Sequence, residues 1–354
     1  MTLTLLRRSL PILVLAVAAF ATAPPAAAQF VTLPQPSPAA TVSQTVGISE
    51  ITVAYHRPSV NGRTIWGGLV PWDLVWRAGA NENTTVTFSD PVAVGGAALP
   101  AGTYGLHVIP SENGPWTVAF SGNSTSWGSF SYDESEDAAR IQVTPEAAPH
   151  REQLAFSFDD VAKGGATLAL HWAELRLAIP IEVDTDAVVV ANLGDELRGL
   201  SGFFWQASTQ AANYVLANQL DPEVGLAWVE RSIGVEENVV NLSLKSRLLG
   251  AAGRDGEVAE TLARAEGLAA SESEINNLGY AYLQGGDVAA AIEAFERNVR
   301  EHPESWNVYD SLAEAQAAAG RKDEAIANYE RARGMAPEAQ HPRIDALLGG
   351  LRGE

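Results

Sequence analysis

Cysteine is absent from the 354 residues. That excludes disulfide scaffolds, thiol nucleophiles, thiolate-bound zinc and iron–sulfur clusters. Positive charge is scarce: 23 Lys+Arg stand against 43 Asp+Glu, a formal net charge of −20. A surface of that sign repels phosphate backbones and anionic lipid, so neither nucleic acid nor a membrane surface is the expected partner. Histidine occurs six times and never in an H-x-H or H-E-x-x-H spacing. No local metal motif follows, and no cofactor is expected. The sequence also lacks a G-x-S-x-G elbow, a Walker loop and a dinucleotide fingerprint, so no reaction is legible in it.

The one apolar run of note comes first. Arg7 and Arg8 precede Leu10–Ala21, and Ala26-Ala27-Ala28 follows. A basic start, a short apolar stretch and small residues before a cut site make a secretory leader, expected over 1–28 with cleavage after Ala28. Pro24 and Pro25 end the run well short of the ~18 apolar residues a membrane helix needs. The expected product is periplasmic or extracellular, without a membrane span.

Residues 29–40 hold Pro34, Pro36 and Pro38, an extended lead-in. From 41 to 186 short apolar runs alternate with polar residues, as in Ile51–Tyr55, Thr85–Phe88, Tyr104–Val108, Trp116–Phe120 and Leu168–Trp172. Period-two alternation predicts antiparallel strands with one buried face. Gly95-Gly96, Pro100-Ala101-Gly102, Asn113-Gly114 and Gly164-Gly165 supply the turns. So many short strands predict an antiparallel β-sandwich over 41–186. Pro180 marks an edge or a bulge in the last run.

Residues 187–354 change texture to alanine, leucine and glutamate. Leu278-Gly279, Tyr282, Gly286, Ala291, Phe295 and Pro303 recur 34 residues later as Leu312-Ala313, Gln316, Gly320, Ala325, Tyr329 and Pro337. That period resembles the tetratricopeptide repeat, a helix pair that stacks on its neighbours. Two weaker units fall near 206–238 and 239–271. The predicted fold class is therefore multidomain β plus α, a sandwich followed by a tetratricopeptide-like helical array. Carrying over the repeat's groove positions gives Asn276, Tyr280, Leu283, Asn307, Asp310 and Glu314 as candidates for a protein partner.

The densest stretch of the β half reads Tyr55-His56-Arg57-Pro58, Gly62-Arg63-Thr64-Ile65-Trp66-Gly67, Pro71-Trp72 and Val75-Trp76-Arg77-Ala78-Gly79-Ala80-Asn81-Glu82. Together with Leu99–Tyr104 and Trp127-Gly128 through Arg140, it resembles the secreted bacterial family called domain of unknown function 2911, over roughly 40–184. The resemblance implies a secreted β-domain, one often followed by helical repeats, and names no activity.

Arg57, Arg63, Arg77, Asn81, Glu82 and His107 are the candidate ligand-binding residues of this half. Arginines there would hold a carboxylate or phosphate bidentately. The bland alternative is that Arg77 and Glu82 form an ion pair tying a long loop to the sandwich. Three functions stay open: an exported binding or scaffolding protein, an envelope-acting enzyme with a pocket around Arg63, Arg77, Asn81, Glu82 and His107, and a glycan-binding module using exposed tryptophans. Trp72 and Trp76, four apart, are expected on one face of a helical turn.

Overall fold

The computed structural model describes residues 33–353. The expected leader at 1–28 and the first part of the lead-in lie outside the described residues. Among the described residues ten strands come first: β1 (Ala39–Val46), β2 (Ser49–His56), β3 (Thr85–Phe88), β4 (Val92–Val94), β5 (Ala97–Leu99), β6 (Gly102–Ile109), β7 (Trp116–Ser121), β8 (Asp137–Val143), β9 (Glu146–Ala162) and β10 (Gly165–Glu182). They make two antiparallel sheets, a six-stranded one ordered β1-β2-β3-β6-β7-β8 and a four-stranded one ordered β5-β4-β10-β9. Inward residues of both sheets, among them Val53, Leu106, Phe120, Leu154, Leu170 and Ile179, share one core.

Pro180 sits past the last β9 partner of β10, the Arg176↔Glu146 pair, so its missing N–H costs no bond on that side. Its carbonyl accepts the Gly95 N–H at 2.9 Å. Register shifts in the β9–β10 pairing flank Ala173, which has φ +52°. That bulge turns two consecutive side chains, Trp172 and Ala173, inward.

The stretch between β2 and β3 contains no regular element, and it is packed. Ile65, Val70 and Ala78 are buried, and Trp66, Trp72 and Trp76 lean on the core. Trp76 forms a strand-like bridge with Val108, so the expected helical turn for Trp72 and Trp76 is not formed. Trp66 lies 4.7 Å from Trp116 and 5.9 Å from Trp172, and Trp76 stacks on Trp172 at 5.8 Å and 20°. Five indoles thus close the sandwich core, the commoner use of tryptophan.

Ten α-helices follow among the described residues: α1 (Thr185–Glu196), α2 (Trp205–Ala217), α3 (Pro222–Val235), α4 (Val239–Ala251), α5 (Asp255–Leu268), α6 (Glu272–Gln284), α7 (Val288–Glu301), α8 (Trp306–Ala318), α9 (Lys322–Met335) and α10 (His341–Arg352). Consecutive helices pair from α2 onward. Gly286 (φ +85°) and Gly320 (φ +75°) take the left-handed conformation after α6 and α8, which only glycine adopts freely. Asn238 caps α4 and Ser271 caps α6, each in a reciprocal box with the residue three positions on. Pro303 and Pro337 follow α7 and α9 within two residues. At the junction the Thr185 hydroxyl donates to Lys163 O at 2.5 Å, and Asp186 accepts both Lys163 Nζ and the Tyr214 hydroxyl at 2.7 Å.

Candidate functional site in the helical array

The six ligand candidates of the β half do not meet. Among the described residues none of them hydrogen bonds or ion pairs with another. Arg57 donates to Leu154 O at 3.0 Å, bracing the loop against β9. Arg63 folds back on the carbonyls of Val60 and Ser59. Asn81 donates to Gln35 and Ser37. Glu82 lies 3.3 Å from His56 Nε2, so the Arg77–Glu82 pair offered as an alternative is not formed. Arg77 lies over the Trp127 ring at 5.7 Å instead. Burial pulls its guanidinium below the usual value, with Glu82 acting weakly the other way.

His107 is 2% exposed because the stretch after β7 covers the outer face of β6. It shares a 3.0 Å hydrogen bond with Ser129 Oγ, and its ring centroid is 4.9 Å from that of Tyr132. Burial lowers its pKa, with Asp137 opposing. Beside it the Tyr132 hydroxyl donates to Asp137 Oδ2 at 2.5 Å, and Arg140 donates to both. Burial, then that bond to Asp137, pushes the Tyr132 phenol up. This polar seam pins a covering segment to the sheet. The described residues hold no cluster of metal-ligating side chains. Of the tryptophans in this half, Trp127 is 59% exposed and stacked on Phe130 at 5.9 Å and 7°, whereas Trp116 is buried.

The helical array holds two cavities that share part of their walls. A cavity of about 520 Å³ is lined by α2, α4 and α6, and a second of about 650 Å³ lies against it; Arg247, Ala281 and Gln284 line both. Gln206, Thr209, Gln210 and Asn213 recur every three or four residues on α2, so one helix face presents them all. On α4 the same logic aligns Val240, Ser243, Leu244 and Arg247, and on α6 Asn277, Tyr280 and Gln284. Trp205 forms the apolar end, next to exposed Phe203 and Phe204.

Of the groove candidates read from the sequence, Tyr280 lines this cavity. Its hydroxyl donates to Glu314 at 2.8 Å, and burial together with that carboxylate pushes its pKa up to about 12. Asp310 is 6% exposed and binds Arg343 of α10 at 2.9 Å, so it closes the end of the array. Leu283 packs beside Phe295 and Leu312. Asn276 has a buried Oδ1 without a partner, and Asn307 is half-buried. The sequence reading missed Arg247. Burial lowers its pKa and no neighbouring charge acts on it. Its signal was present: the residues three and four away on α4 are Ser243, Leu244, Gly250 and Ala251, none of them acidic.

A β-sandwich carrying a stack of helix pairs with an open concave face is the class this geometry defines. Residues 37–181 match the family described as protein of unknown function (DUF2911), and residues 277–305 match a tetratricopeptide repeat. No curated protein matches the chain. Among solved structures the chain is similar to MamA (17% identity, 42% of this chain and 86% of that one, TM-score 0.31). It is also similar to PcrH from Pseudomonas aeruginosa (18% identity, 33% and 93%, TM-score 0.28). A third is a tetratricopeptide repeat protein from Parabacteroides merdae (15% identity, 47% and 64%, TM-score 0.36).

Proposed function

We propose that the protein is an exported adaptor whose helical array holds a segment of a partner protein in the groove of α2, α4 and α6. The observation that carries this reading is the pair of adjoining cavities, about 520 and 650 Å³, lined by amide side chains and one half-buried arginine. Amides, an aromatic end and a cation are what an extended peptide needs: backbone partners, an anchor pocket and a charge contact. Export rests on the leader pattern at 1–28, and the sandwich then serves as the rigid platform from which the array is presented.

A photo-crosslinking residue placed at Asn213 or Asn277 tests this in cells making the full chain. Adducts are expected from both groove positions and not from exposed Glu260 on α5. Adducts that form equally at Glu260, or at none of the three, refute the reading.

A second reading has one observation in its favour. The exposed Trp127–Phe130 pair, with Arg77 over the indole, offers a flat face for a sugar ring. Binding of soluble envelope glycan that quenches indole fluorescence and disappears in Trp127→Ala would support it. Unchanged binding in that variant would remove it.

A further inference from the structure

The groove carries one positive charge that the fold leaves without an ion pair. Lys245, two residues earlier on α4, is paired with Glu230. Arg254 is paired with Glu257 and Arg264 with Glu237. Arg247, half-buried among them, makes no ion pair or hydrogen bond among the described residues. In a chain of net charge −20, Arg247 is the one cation lining either of these two cavities among the described residues.

One helical turn before it, Ser243 lines the same cavity. The residue is 6% exposed, and its buried Oγ has no partner. Residues i and i+4 share a helix face, so the orphaned hydroxyl and the unpaired guanidinium address one place in the groove. A buried hydroxyl without a partner costs free energy until a ligand supplies one.

Arg247 also stands between two cavities rather than at the blind end of one. On one side lie Trp205, Val240 and Leu244, and on the other Ser246, Gly250 and Asp255. A chain terminus bound at Arg247 would leave one of these spaces empty, whereas a continuous chain fills both. We propose that the occupant is an internal segment of a partner protein, extended, with an Asp or Glu side chain on Arg247 and an apolar side chain toward Trp205. This rests on the adaptor reading and specifies its partner. The carboxylate accepts from the guanidinium, a charge-assisted contact strengthened by partial exclusion of water.

The test uses the full-length protein and synthetic twelve-residue peptides blocked by acetyl and amide groups. Each carries one Leu and one Glu at varied spacing in a Ser/Ala background, with matched Gln and Lys sets, and binding is read by fluorescence anisotropy. Blocked Glu peptides are expected to bind at least tenfold more tightly than their Gln counterparts. Arg247→Gln should erase that difference without lowering the melting temperature, because the side chain has no partner to lose and its burial disfavours the charge. Arg247→Glu should transfer the preference to the Lys set, and Ser243→Ala should weaken Glu peptides several-fold.

Equal binding of Glu and Gln sets overturns the carboxylate assignment. Binding by the same peptides only when they are left with a free carboxyl terminus, run as a companion set, overturns the internal placement. A monomer–dimer shift in sedimentation on Arg247→Glu, with no peptide bound, assigns the groove to a second copy and overturns the proposal. If no peptide binds at all the proposal falls, and adducts at Asn213 and Asn277 then decide whether the adaptor reading falls with it.

Discussion

Gly279 on α6 decides how closely α6 and α7 pack, and its replacement sets two effects against each other. A Cβ there would lie 2.5, 2.7 and 2.8 Å from three ring atoms of Phe295. The ring has nowhere to retreat: Phe295 is fully buried and meets the Tyr280 ring edge-on at 5.2 Å. Overpacking of this kind costs about 1–3 kcal/mol. Alanine in place of glycine returns at most about 1 kcal/mol of helix propensity. The steric term wins, and Gly279→Ala should destabilise the array by about 1–2 kcal/mol, or roughly 2–8 °C at 2–4 °C per kcal/mol. The control is Gly267→Ala on α5, where nothing lies within 4 Å of the added methyl. There only the propensity gain operates, so the shift has the opposite sign. Thermal melts followed by helical circular dichroism give both numbers. Phe295→Leu in the Gly279→Ala background should recover part of the loss relative to the two single variants. A Gly279→Ala protein that melts at or above the parent temperature would refute the close-approach argument.

Other outcomes follow from single contacts. Arg343→Gln leaves the buried Asp310 carboxylate without its cation, whereas Asp310→Asn removes the charge itself, so the first should melt lower; with Arg343 half exposed the loss is about 1–3 kcal/mol. His107 is held neutral by burial, its folded pKa below the ordinary ~6.5. Its contribution is therefore complete above pH ~6.5 and is lost as pH falls through the folded value. Melting temperatures of His107→Asn should fall less steeply between pH 7 and 5 than those of the parent, and parallel curves would contradict this. Trp172→Ala should cost about 3–5 kcal/mol in urea unfolding, because the indole is buried against Trp66 and Trp76. Trp127→Ala, at an exposed site, should change stability by under about 0.5 kcal/mol.

Local pattern made much of the architecture readable. Ile51, Val53 and Tyr55 alternate with polar neighbours and all point inward in β2. The 34-residue recurrence from Gly286 to Gly320 reflects two left-handed positions that demand glycine. What stayed hidden depends on contacts distant along the chain. Trp66 meets Trp172 across the core, and no spacing rule links them. His107 reads as an outward strand residue until the segment carrying Ser129 and Tyr132 folds over it. The repeat consensus places groove candidates on α6 and α8, at Asn276, Tyr280, Leu283, Asn307, Asp310 and Glu314, and of these Tyr280 lines the first cavity. The other walls of that cavity are α2 and α4, in the weaker units, where polar side chains occupy the inner helix faces and no consensus marks them.

The indole cluster of the sandwich makes the protein its own spectroscopic instrument. Trp76 and Trp172, nearly parallel and in contact, are an asymmetric chromophore pair that gives a near-ultraviolet signal only while the β half is packed. The helices dominate the far-ultraviolet band, and Trp205 in the groove adds an emission sensitive to whatever fills it. Loss of the β half and loss of the helices can therefore be followed at separate wavelengths in one unlabelled sample.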